Sequence, residues 1–419
     1  MTALPDGWRR MPLGDVAETA LGKMLDRAKD RGLPRVRYLR NVNVQWGRID
    51  TDDVLEMELA DDERERFGVE PGDLLVCEGG EIGRAAIWSG SAEYMAYQKA
   101  LHRVRPHDIL DSRFLLHQFA FLAQTNSFDS LSTGSTIRHL PQQQLRRVPV
   151  VVPPLDEQRR IVDILEDHLS RLDAANDYLD AVQRRLDRLA LARWRSVFGA
   201  LAEVLGQRPL LDVAVIENGQ TPRGLSDRLL NHEVDDSVPF YKVGDMNASG
   251  GREMAAARFH VRRQDARELG LHVRQGGLVL FPKRGGAIST NKKRLLTAPA
   301  AFDLNTMGLR PKQGVAPKYL WHWLEGIDLG QIADGSNVPQ INASQIRRLL
   351  IPVPPEDAQA DAADGLDAFA AQREAVALEC QRAQRRSDRL RRALLAAAFA
   401  GQLTGRSSDL DVAEELAYS

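Results

Sequence analysis

The chain has 419 residues, of which 43% are hydrophobic and 27% charged, and its formal net charge is −2. Its mean hydropathy is −0.34, and no stretch approaches the ~20 apolar residues that span a bilayer, which excludes a membrane-spanning protein. The N-terminal stretch MTALPDGWRR lacks the apolar run of a signal peptide, so we expect a cytoplasmic protein without a membrane partner.

The first predicted element is a compact, strand-rich domain over residues 7–133. The stretch VRYLRNVNVQWGRID alternates apolar and polar residues around a glycine turn, and a Pro-Gly-Asp turn precedes the apolar strand LLVC. The stretch SRFLLHQFAFLAQ, from Ser112, has the spacing of a short amphipathic helix. Residues 207–334 repeat this order with small insertions and deletions, which predicts a duplicated globular domain.

A long connecting segment is also duplicated, and without any change of length. Gly134 recurs as Gly335 and Leu189 as Leu390, each 201 positions later (335 − 134 = 201). A Pro-Pro pair followed by acidic residues predicts a helix start in each copy. Apolar residues at coiled-coil spacing then predict a helix seam. The seam residues are Ile161, Leu165, Leu172, Leu179, Val182, Leu186 and Leu189 in the first copy and Leu366, Phe369, Val376, Leu390 and Leu394 in the second.

Such helices need a partner for their apolar seams, and each copy supplies one helix. We therefore expect them to pack on each other as an antiparallel coiled coil between two similar domains. The predicted fold is α+β, a dumbbell with a pseudo-two-fold axis. The alternative, in which each helix packs on its own domain, is left open.

These residues carry a resemblance to a known family. The order GSTIRHLPQQQLRRVPVVVPPLDEQRRIVDIL, a long helix and a second, degenerate copy ending LLAAAFAGQLTG resembles the DNA specificity subunits of type I restriction–modification systems. The resemblance covers about residues 7–405. It implies two target-recognition domains and two conserved spacer helices. The tail departs from the family pattern and is predicted to be disordered. The corresponding ranges are 1–152 and 201–353 for the domains, 153–200 and 354–405 for the helices, and 406–419 for the tail.

The resemblance also implies what the chain binds. Each domain would read one half of a bipartite target in double-stranded DNA, while the helices set the spacing and dock DNA methyltransferase subunits. Those subunits would recruit the translocase and nuclease subunit. No cofactor is expected on this chain, whereas S-adenosylmethionine, ATP and magnesium are expected on the partner subunits.

Candidate DNA-contacting residues are polar or basic residues that recur on loops of both halves. Asn and Gln pair bidentately with adenine, Arg and Lys pair with guanine, Asp accepts from cytosine, and basic loops contact phosphates. Many such residues instead cap turns or face solvent, and that alternative is left open. The candidates are Arg40, Asn43, Gln45, Arg84, Thr136, Arg138, His139, Lys242, Asp245, Asn247, Lys283, Arg284, Ser289, Asn291, Lys292, Lys293, Asn337 and Gln340.

Catalytic chemistry has little support in the sequence. There is no GxxxxGK[ST] phosphate loop and no HExxH motif. The carboxylates Asp73, Glu78 and Glu81 lack a closely following lysine, so glycine-turn polar residues explain them better than a magnesium site. Cys77 and Cys380 lie in unrelated contexts and predict neither a disulfide framework nor a metal site. We therefore predict a non-catalytic subunit without catalytic or metal-ligating residues.

Two other classes of protein remain as alternatives. A structural coiled-coil adaptor whose two heads bind proteins would have no affinity for DNA, even with its partners present. An enzyme that uses a groove between the heads, such as a nuclease, would cleave DNA in a metal-dependent way on its own.

Overall fold

The computed structural model describes residues 4–25, 32–90, 93–132 and 138–403. Its contacts divide the chain into two units, one formed by Met1–Asp180 with Gln381–Ser419 and the other by Ala181–Cys380. Each unit contains one globular domain of strands and short helices and part of each of two long helices. The predicted α+β class, with two similar domains and two long helices, is confirmed. The predicted tail, 406–419, lies outside the described residues.

The first globular domain alternates short strands with short helices, and the first long helix follows it. The elements are β1 (Arg9–Pro12), α1 (Leu13–Val16), β2 (Ala17–Leu21), β3 (Arg35–Leu39), β4 (Val44–Gln45), β5 (Arg48–Ile49), β6 (Leu55–Glu58), α2 (Arg64–Phe67), β7 (Leu74–Cys77), β8 (Ala85–Ile87), β9 (Ala96–Tyr97), β10 (Leu101–Pro106), α3 (Ser112–Gln124), α4 (Gln142–Leu145), β11 (Pro149–Val152) and α5 (Leu155–Leu205).

The second globular domain follows the same plan and leads into the second long helix. The elements are β12 (Arg208–Pro209), α6 (Leu210–Val213), β13 (Ala214–Asn218), β14 (Ser237–Tyr241), α7 (Asp245–Ala248), β15 (Phe259–Arg262), α8 (Arg263–Glu268), β16 (Leu278–Pro282), β17 (Arg294–Leu296), β18 (Ala301–Phe302), β19 (Thr306–Pro311), α9 (Pro317–Glu325), α10 (Leu329–Ile332), α11 (Ala343–Ile346), β20 (Leu350–Ile351) and α12 (Glu356–Phe399).

The duplication extends to the sheets. A four-stranded antiparallel sheet runs β2-β10-β7-β8 in the first domain and β13-β19-β16-β17 in the second. A three-stranded sheet with one parallel pair runs β6-β3-β9 in the first and β15-β14-β18 in the second. The strands β7 and β16 are buried along their whole length, which explains why their sequences are continuously apolar. The two domains therefore present equivalent loops at equivalent places.

The two long helices start in the same way. Each follows a Pro-Pro pair and carries two acidic residues in its first turn, where the helix dipole favours negative charge. The buried Gln158 accepts a hydrogen bond from the Asp111 amide and donates to the carbonyls of Ile109 and Pro153, each at 2.8 Å. In the second unit Gln359 makes the equivalent three hydrogen bonds. One glutamine thus joins each long helix to the loop before α3 or α9.

Within the first unit, the beginning of α5 and the end of α12 enter one hydrophobic core. Ile161 and Leu165 of α5 belong to the same cluster as Leu394 and Phe399 of α12. The Phe399 ring lies 5.3 Å from that of Phe114 in α3. Because the start of one helix meets the end of the other, the helices run antiparallel in this unit.

The second unit has the complementary arrangement. Phe198, near the end of α5, and Leu366, near the start of α12, share a core cluster. The Phe198 ring lies 5.4 Å from the ring of Tyr319 in α9. The helices therefore also pack against the globular domain of each unit, which is the alternative that the sequence left open, as well as running antiparallel.

The predicted seam is wrong at two residues. Leu189 is 45% exposed and Val376 is 44% exposed, while the following alanines, Ala190 and Ala377, are half-buried. A straight α-helix drifts about 20° per heptad relative to a strict 3.5-residue repeat, so the buried stripe moves off a fixed register. Of the other predicted seam residues, the buried ones are Ile161, Leu165, Leu366, Leu390 and Leu394, and the half-buried ones are Leu172, Leu179, Val182, Leu186 and Phe369.

The helix ends also differ from the predicted ones. α5 continues past Gly199 to Leu205, and a Cβ added at Gly199 would meet nothing within 4 Å. α12 ends at Phe399, before Gly401, whose φ of +73° is in the left-handed region. In the described part of the chain, no helix is both long and apolar enough to cross a membrane.

Candidate nucleic-acid interface

Two loops meet in each unit and bring together candidate residues that are far apart in the sequence. The Leu140 amide donates to the Glu78 carbonyl at 2.8 Å, and the Ile341 amide donates to the Lys283 carbonyl at 2.9 Å. Beside these hydrogen bonds, Gly79 pairs with His139, and in the second unit Arg284 pairs with Gln340. We call these the loop pairs, residues 78–84 with 138–141 and residues 283–293 with 334–341.

In the first loop pair, Arg84 holds the loop together from inside. Its side chain is only 15% exposed, and Nη2 donates to Oδ1 of Asn41 at 2.7 Å. Asn41 in turn donates from Nδ2 to the Gly79 carbonyl at 2.9 Å. Arg84 therefore positions the loop and presents little of its guanidinium to a ligand. Sequence reasoning missed Asn41, although it lies among the candidates between Arg40 and Gln45.

Arg138 and His139 are the exposed candidates of this pair. Arg138 forms a salt bridge with Asp129 at 2.7 Å, and its side chain remains 55% exposed. His102, buried beneath them, lies with Nε2 2.8 Å from the Leu140 carbonyl, and burial lowers the pKa of this imidazole. Thr136, also predicted as a contact, lies outside the described residues.

The Arg40–Gln45 turn and its counterpart in the second unit are closed by the same hydrogen bond. Oδ1 of Asn43 accepts from the Arg40 amide at 2.9 Å, and Oδ2 of Asp245 accepts from the Lys242 amide at 2.7 Å. Both Asn43 and Asp245 are buried. These two residues therefore cap their turns, which is the alternative that the sequence left open. Their side-chain oxygens accept hydrogen bonds from backbone amides.

The other members of this turn lie nearer the surface. Arg40 is bound to the Asp53 carboxylate at 2.7 Å, and Gln45 donates to the Val42 carbonyl at 3.0 Å. Lys242 is exposed and its Nζ lies 4.2 Å from the centre of the Phe259 ring. Asn247 is exposed and accepts from Nζ of Lys292 at 2.7 Å, which connects this turn to the second loop pair.

Two candidates of the second loop pair, the buried Lys293 and the half-buried Asn291, are used within the loop itself. Lys293 is completely buried, and its Nζ donates to Oδ1 of Asn291 at 2.8 Å and to the Ile327 carbonyl at 2.7 Å. Burial lowers the pKa of Lys293 to about 8. The same Asn291 oxygen accepts from the Leu329 amide at 2.9 Å. Lys293 and Asn291 therefore hold the loop and are not presented to a ligand.

The remaining residues of the second pair are more accessible. Arg284, Ser289 and Asn337 are exposed, and Gln340 is half-buried. Lys283 donates to Oδ1 of Asn218 at 2.9 Å, and burial lowers its pKa, as does the nearby Arg284, while Asp303 acts in the opposite direction. Asn218 ends β13, and no sequence signal pointed to it.

The structure thus divides the candidates into those that build the loops and those that face solvent. The solvent-facing set combines guanidinium, ammonium, imidazole, hydroxyl and amide groups on two neighbouring loops. This is the chemistry that contacts phosphates and base edges. No group of three or more His, Cys, Asp or Glu side chains suited to a metal ion occurs within the described ranges.

Comparison with known proteins gives a consistent result. The family model for the type I restriction modification DNA specificity domain matches residues 5–184. The specificity subunit of the type I restriction enzyme EcoKI from Escherichia coli is 21% identical over 437 residues, covering 96% of this chain and 90% of that protein. A putative type I specificity subunit of Haemophilus influenzae is 32% identical over 95 residues, or 23% of each chain.

Two solved structures share the fold. One, from a study of complex assembly and conformational transition in the type I R-M system, has a TM-score of 0.78 at 20% identity and covers 96% of this chain and 100% of its own. The other, the HsdS subunit of Thermoanaerobacter tengcongensis, has a TM-score of 0.54 at 19% identity, covering 96% and 99%. The likeness extends over nearly all of the chain.

Proposed function

We infer from the family match over residues 5–184 and from the shared fold that the chain is a DNA specificity subunit of a type I restriction–modification system, and we propose that its two globular domains read the two halves of a bipartite target in double-stranded DNA. The observation that supports this proposal is the duplicated loop pair, in which the same backbone pairing presents different side chains. The first pair exposes Arg138 and His139, whereas the second exposes Arg284 and Asn337. Equivalent loops with different polar groups suit two half-sites of different sequence.

The exposed side chains suggest which residues contact bases and which contact phosphates. Arg138 suits bidentate pairing with guanine, Asn247 suits pairing with adenine, and Arg284 is placed for a phosphate contact. Lys242 and Lys292 are placed for phosphate contacts, which fix the register of a protein on the duplex without reading sequence. The buried Asn43, Asp245 and Lys293 have no part in this proposal except to hold the loops.

We assign the long helices two further tasks, setting the distance between half-sites and docking the DNA methyltransferase subunits. α5 has 51 residues and α12 has 44, which at 1.5 Å per residue correspond to about 75 and 65 Å. The helices also carry exposed apolar side chains, which the docking of a partner would cover. They are Tyr178, Leu189, Leu191, Val376 and Leu378.

In this proposal the chain is a non-catalytic subunit. The methyltransferase subunits would hold S-adenosylmethionine, and the translocase and nuclease subunit, joined through the complex, would use ATP and magnesium. The DNA that such a complex reads lies in the cytoplasm of a bacterial or archaeal cell, where we expect the chain to act.

The decisive experiment is methylation sequencing of a host that expresses the chain with its cognate methyltransferase subunit. We expect a split methylated motif that is absent when the chain is left out, which would give both half-sites and the spacer length together. Co-purification of the two subunits is the control for assembly. An assembled complex that adds no methylation would refute the proposal and favour the protein-binding adaptor.

A further inference from the structure

The first unit contains a half-open cavity of about 690 Å³ that is lined by residues of its globular domain and of the long helices. Trp46, Glu81 and His117 line it on the globular domain, and Glu166 of α5 and Leu395 of α12 line it on the long helices. Pockets of 300–1,000 Å³ are the size of small-molecule sites. Nothing in the DNA-reading proposal uses this cavity.

The equivalent positions of the second unit carry larger side chains. Leu116 and Leu395 contact the cavity, and their counterparts are Trp321 (321 − 116 = 205) and Trp194 (395 − 194 = 201). Both indoles are held in place. Trp194 Nε1 donates to the His322 carbonyl at 3.0 Å, and Trp321 Nε1 donates to the Lys293 carbonyl at 3.2 Å. Two leucines in place of two tryptophans leave space in the first unit that indole rings take in the second.

A guanidinium group also occupies this region of the second unit. Arg252, from the loop after α7, donates from Nη1 to both oxygens of Asp367 at 2.7 and 2.8 Å. Its guanidinium carbon lies 5.5 Å from the centre of the Trp321 ring. Asp367 is the counterpart of Glu166 (367 − 166 = 201). In the first unit the loops of the globular domain contribute Trp46, Gly47 and Glu81 to the cavity wall, and none of these is basic.

The cavity wall offers hydrogen-bond acceptors to a cation. Glu81, Glu166 and Asp173 contribute three carboxylates, and each has a basic partner: Arg84 lies 3.5 Å from Glu81, Arg113 is bound to Glu166, and Arg391 is paired with Asp173. Asp367 of the second unit likewise is bound to Lys318 and still accepts from Arg252, so such a carboxylate can take a second cation. Glu81 accepts from Trp46 Nε1 at 2.6 Å, and its side chain remains 54% exposed.

His117 adds a further acceptor. Its Nε2 is buried without a hydrogen-bond partner among the described residues and lies 3.6 Å from Oε1 of Glu166. In the second unit, by contrast, Nε2 of His322 lies 2.8 Å from Oδ1 of Asp367. Burial lowers the pKa of His117, so the imidazole is neutral at pH 7 and keeps one unprotonated nitrogen that accepts from an N–H.

We propose that this cavity binds a small organic cation in which a guanidinium group is carried on an apolar stem. The guanidinium would lie between Glu81 and the His117–Glu166 wall, where the second unit places its own Arg252. The stem would pack on Leu116, Leu395 and the indole of Trp46, whose ring face attracts a cation. A free molecule or an arginine side chain of a partner would supply the same group.

The first test is calorimetric titration of the full chain with butylguanidinium and with its neutral isostere, butylurea. We expect saturable binding of one butylguanidinium per chain and about tenfold weaker binding of butylurea, a ratio that corresponds to about 1.4 kcal/mol. No saturable binding of butylguanidinium, or equal binding of the two compounds, would overturn the proposal.

Two variants then locate the site. The double variant L116W/L395W copies the second unit and should abolish binding while keeping the far-ultraviolet circular dichroism of the wild type. L205W is the matched control, since it adds an indole at an exposed position at the end of α5. A folded double variant that still binds would place the site elsewhere. If the double variant does not fold, E81Q decides, with about tenfold weaker binding expected and unchanged affinity counting against the site.

Once binding by the free chain is established, the same titration distinguishes a free small molecule from an arginine side chain of a partner as the natural occupant. If assembly with the methyltransferase subunits abolishes binding of butylguanidinium, an arginine of the partner occupies the cavity. If binding survives assembly with unchanged affinity, the cavity serves a free molecule.

Discussion

His102 shows how burial changes the pKa of a histidine and, through it, the stability of the chain. It is completely buried, its Nε2 lies 2.8 Å from the Leu140 carbonyl, and its Nδ1 has no partner among the described residues. Burial lowers its pKa below the ordinary value of 6.5, and His117 and His322 are shifted in the same direction. Because the unfolded chain takes up a proton before the folded chain does, stability is full above pH 6.5 and is lost as the pH falls through the lowered pKa.

The substitution H102M should weaken this pH dependence. The second unit already has a buried methionine, Met307, at the equivalent position, so the side chain fits such a sheet. We expect the wild type to lose thermal stability between pH 7 and pH 5, and H102M to lose less of it. Differential scanning calorimetry across this range measures the effect, with the exposed His107 replaced in H107Q as the control. Parallel curves for wild type and H102M would contradict the assignment.

Arg284 and Lys293 are neighbours in one basic loop but should behave differently toward DNA. R284A should weaken binding of the assembled complex and reduce the slope of log K against log salt concentration by about 0.9, the value for one phosphate contact. If Arg284 reads a base instead, the loss should depend on the sequence of one half-site. K293M should leave the slope unchanged, since Lys293 is buried. A slope that falls in K293M and not in R284A would reverse this assignment.

At the scale of secondary structure, the start of each long helix depends on one glutamine. Gln158 satisfies one amide and two carbonyls in part-buried or buried hydrogen bonds, and leaving a buried polar group unpaired costs about 1–3 kcal/mol. Q158A should therefore lower the free energy of unfolding by about 3 kcal/mol, and Q359A should do the same in the second unit. Q183A, at an exposed position of α5, is the control. Urea unfolding measures all three, and an equal effect of Q158A and Q183A would refute the assignment.

The sequence predicts the elements better than it predicts the residues that join them. The apolar strands, the Pro-Pro helix starts and the duplication are visible because each repeats a local pattern. The exposure of Leu189 and Val376 was not visible, because it depends on how the helix stripe drifts along the packed surface. The burial of Asn43, Asp245 and Lys293 was missed for another reason. A polar residue in a loop has the same sequence signal whether it contacts a ligand or caps a turn.

At the scale of the whole molecule, duplication was the strongest signal and also the most reliable one. The constant offset predicted equivalent domains, and the two four-stranded sheets have equivalent strand orders. What duplication does not predict is where the copies differ. The cavity of the first unit arises from Leu116 and Leu395 facing one space from different helices, and only the folded chain brings these residues together.

Each globular domain has hydrophobic clusters of its own, and this leads to a prediction about target choice. The clusters of the first unit draw on residues such as Leu39, Leu74 and Phe114, and those of the second on residues such as Phe240, Phe281 and Tyr319. None of these described clusters takes residues from both units. An exchange within one unit therefore leaves the clusters of the other unit intact.

Replacing residues 7–133 with the corresponding domain of another family member should change one half of the methylated motif and leave the other half unchanged. Exchanging residues 207–334 should change only the other half, so the two chimaeras control each other. Methylation sequencing of hosts that express each chimaera with the methyltransferase subunit gives the result directly. If one exchange altered both half-sites, the domains would not read DNA independently, and the loop pairs would have to act as a single surface.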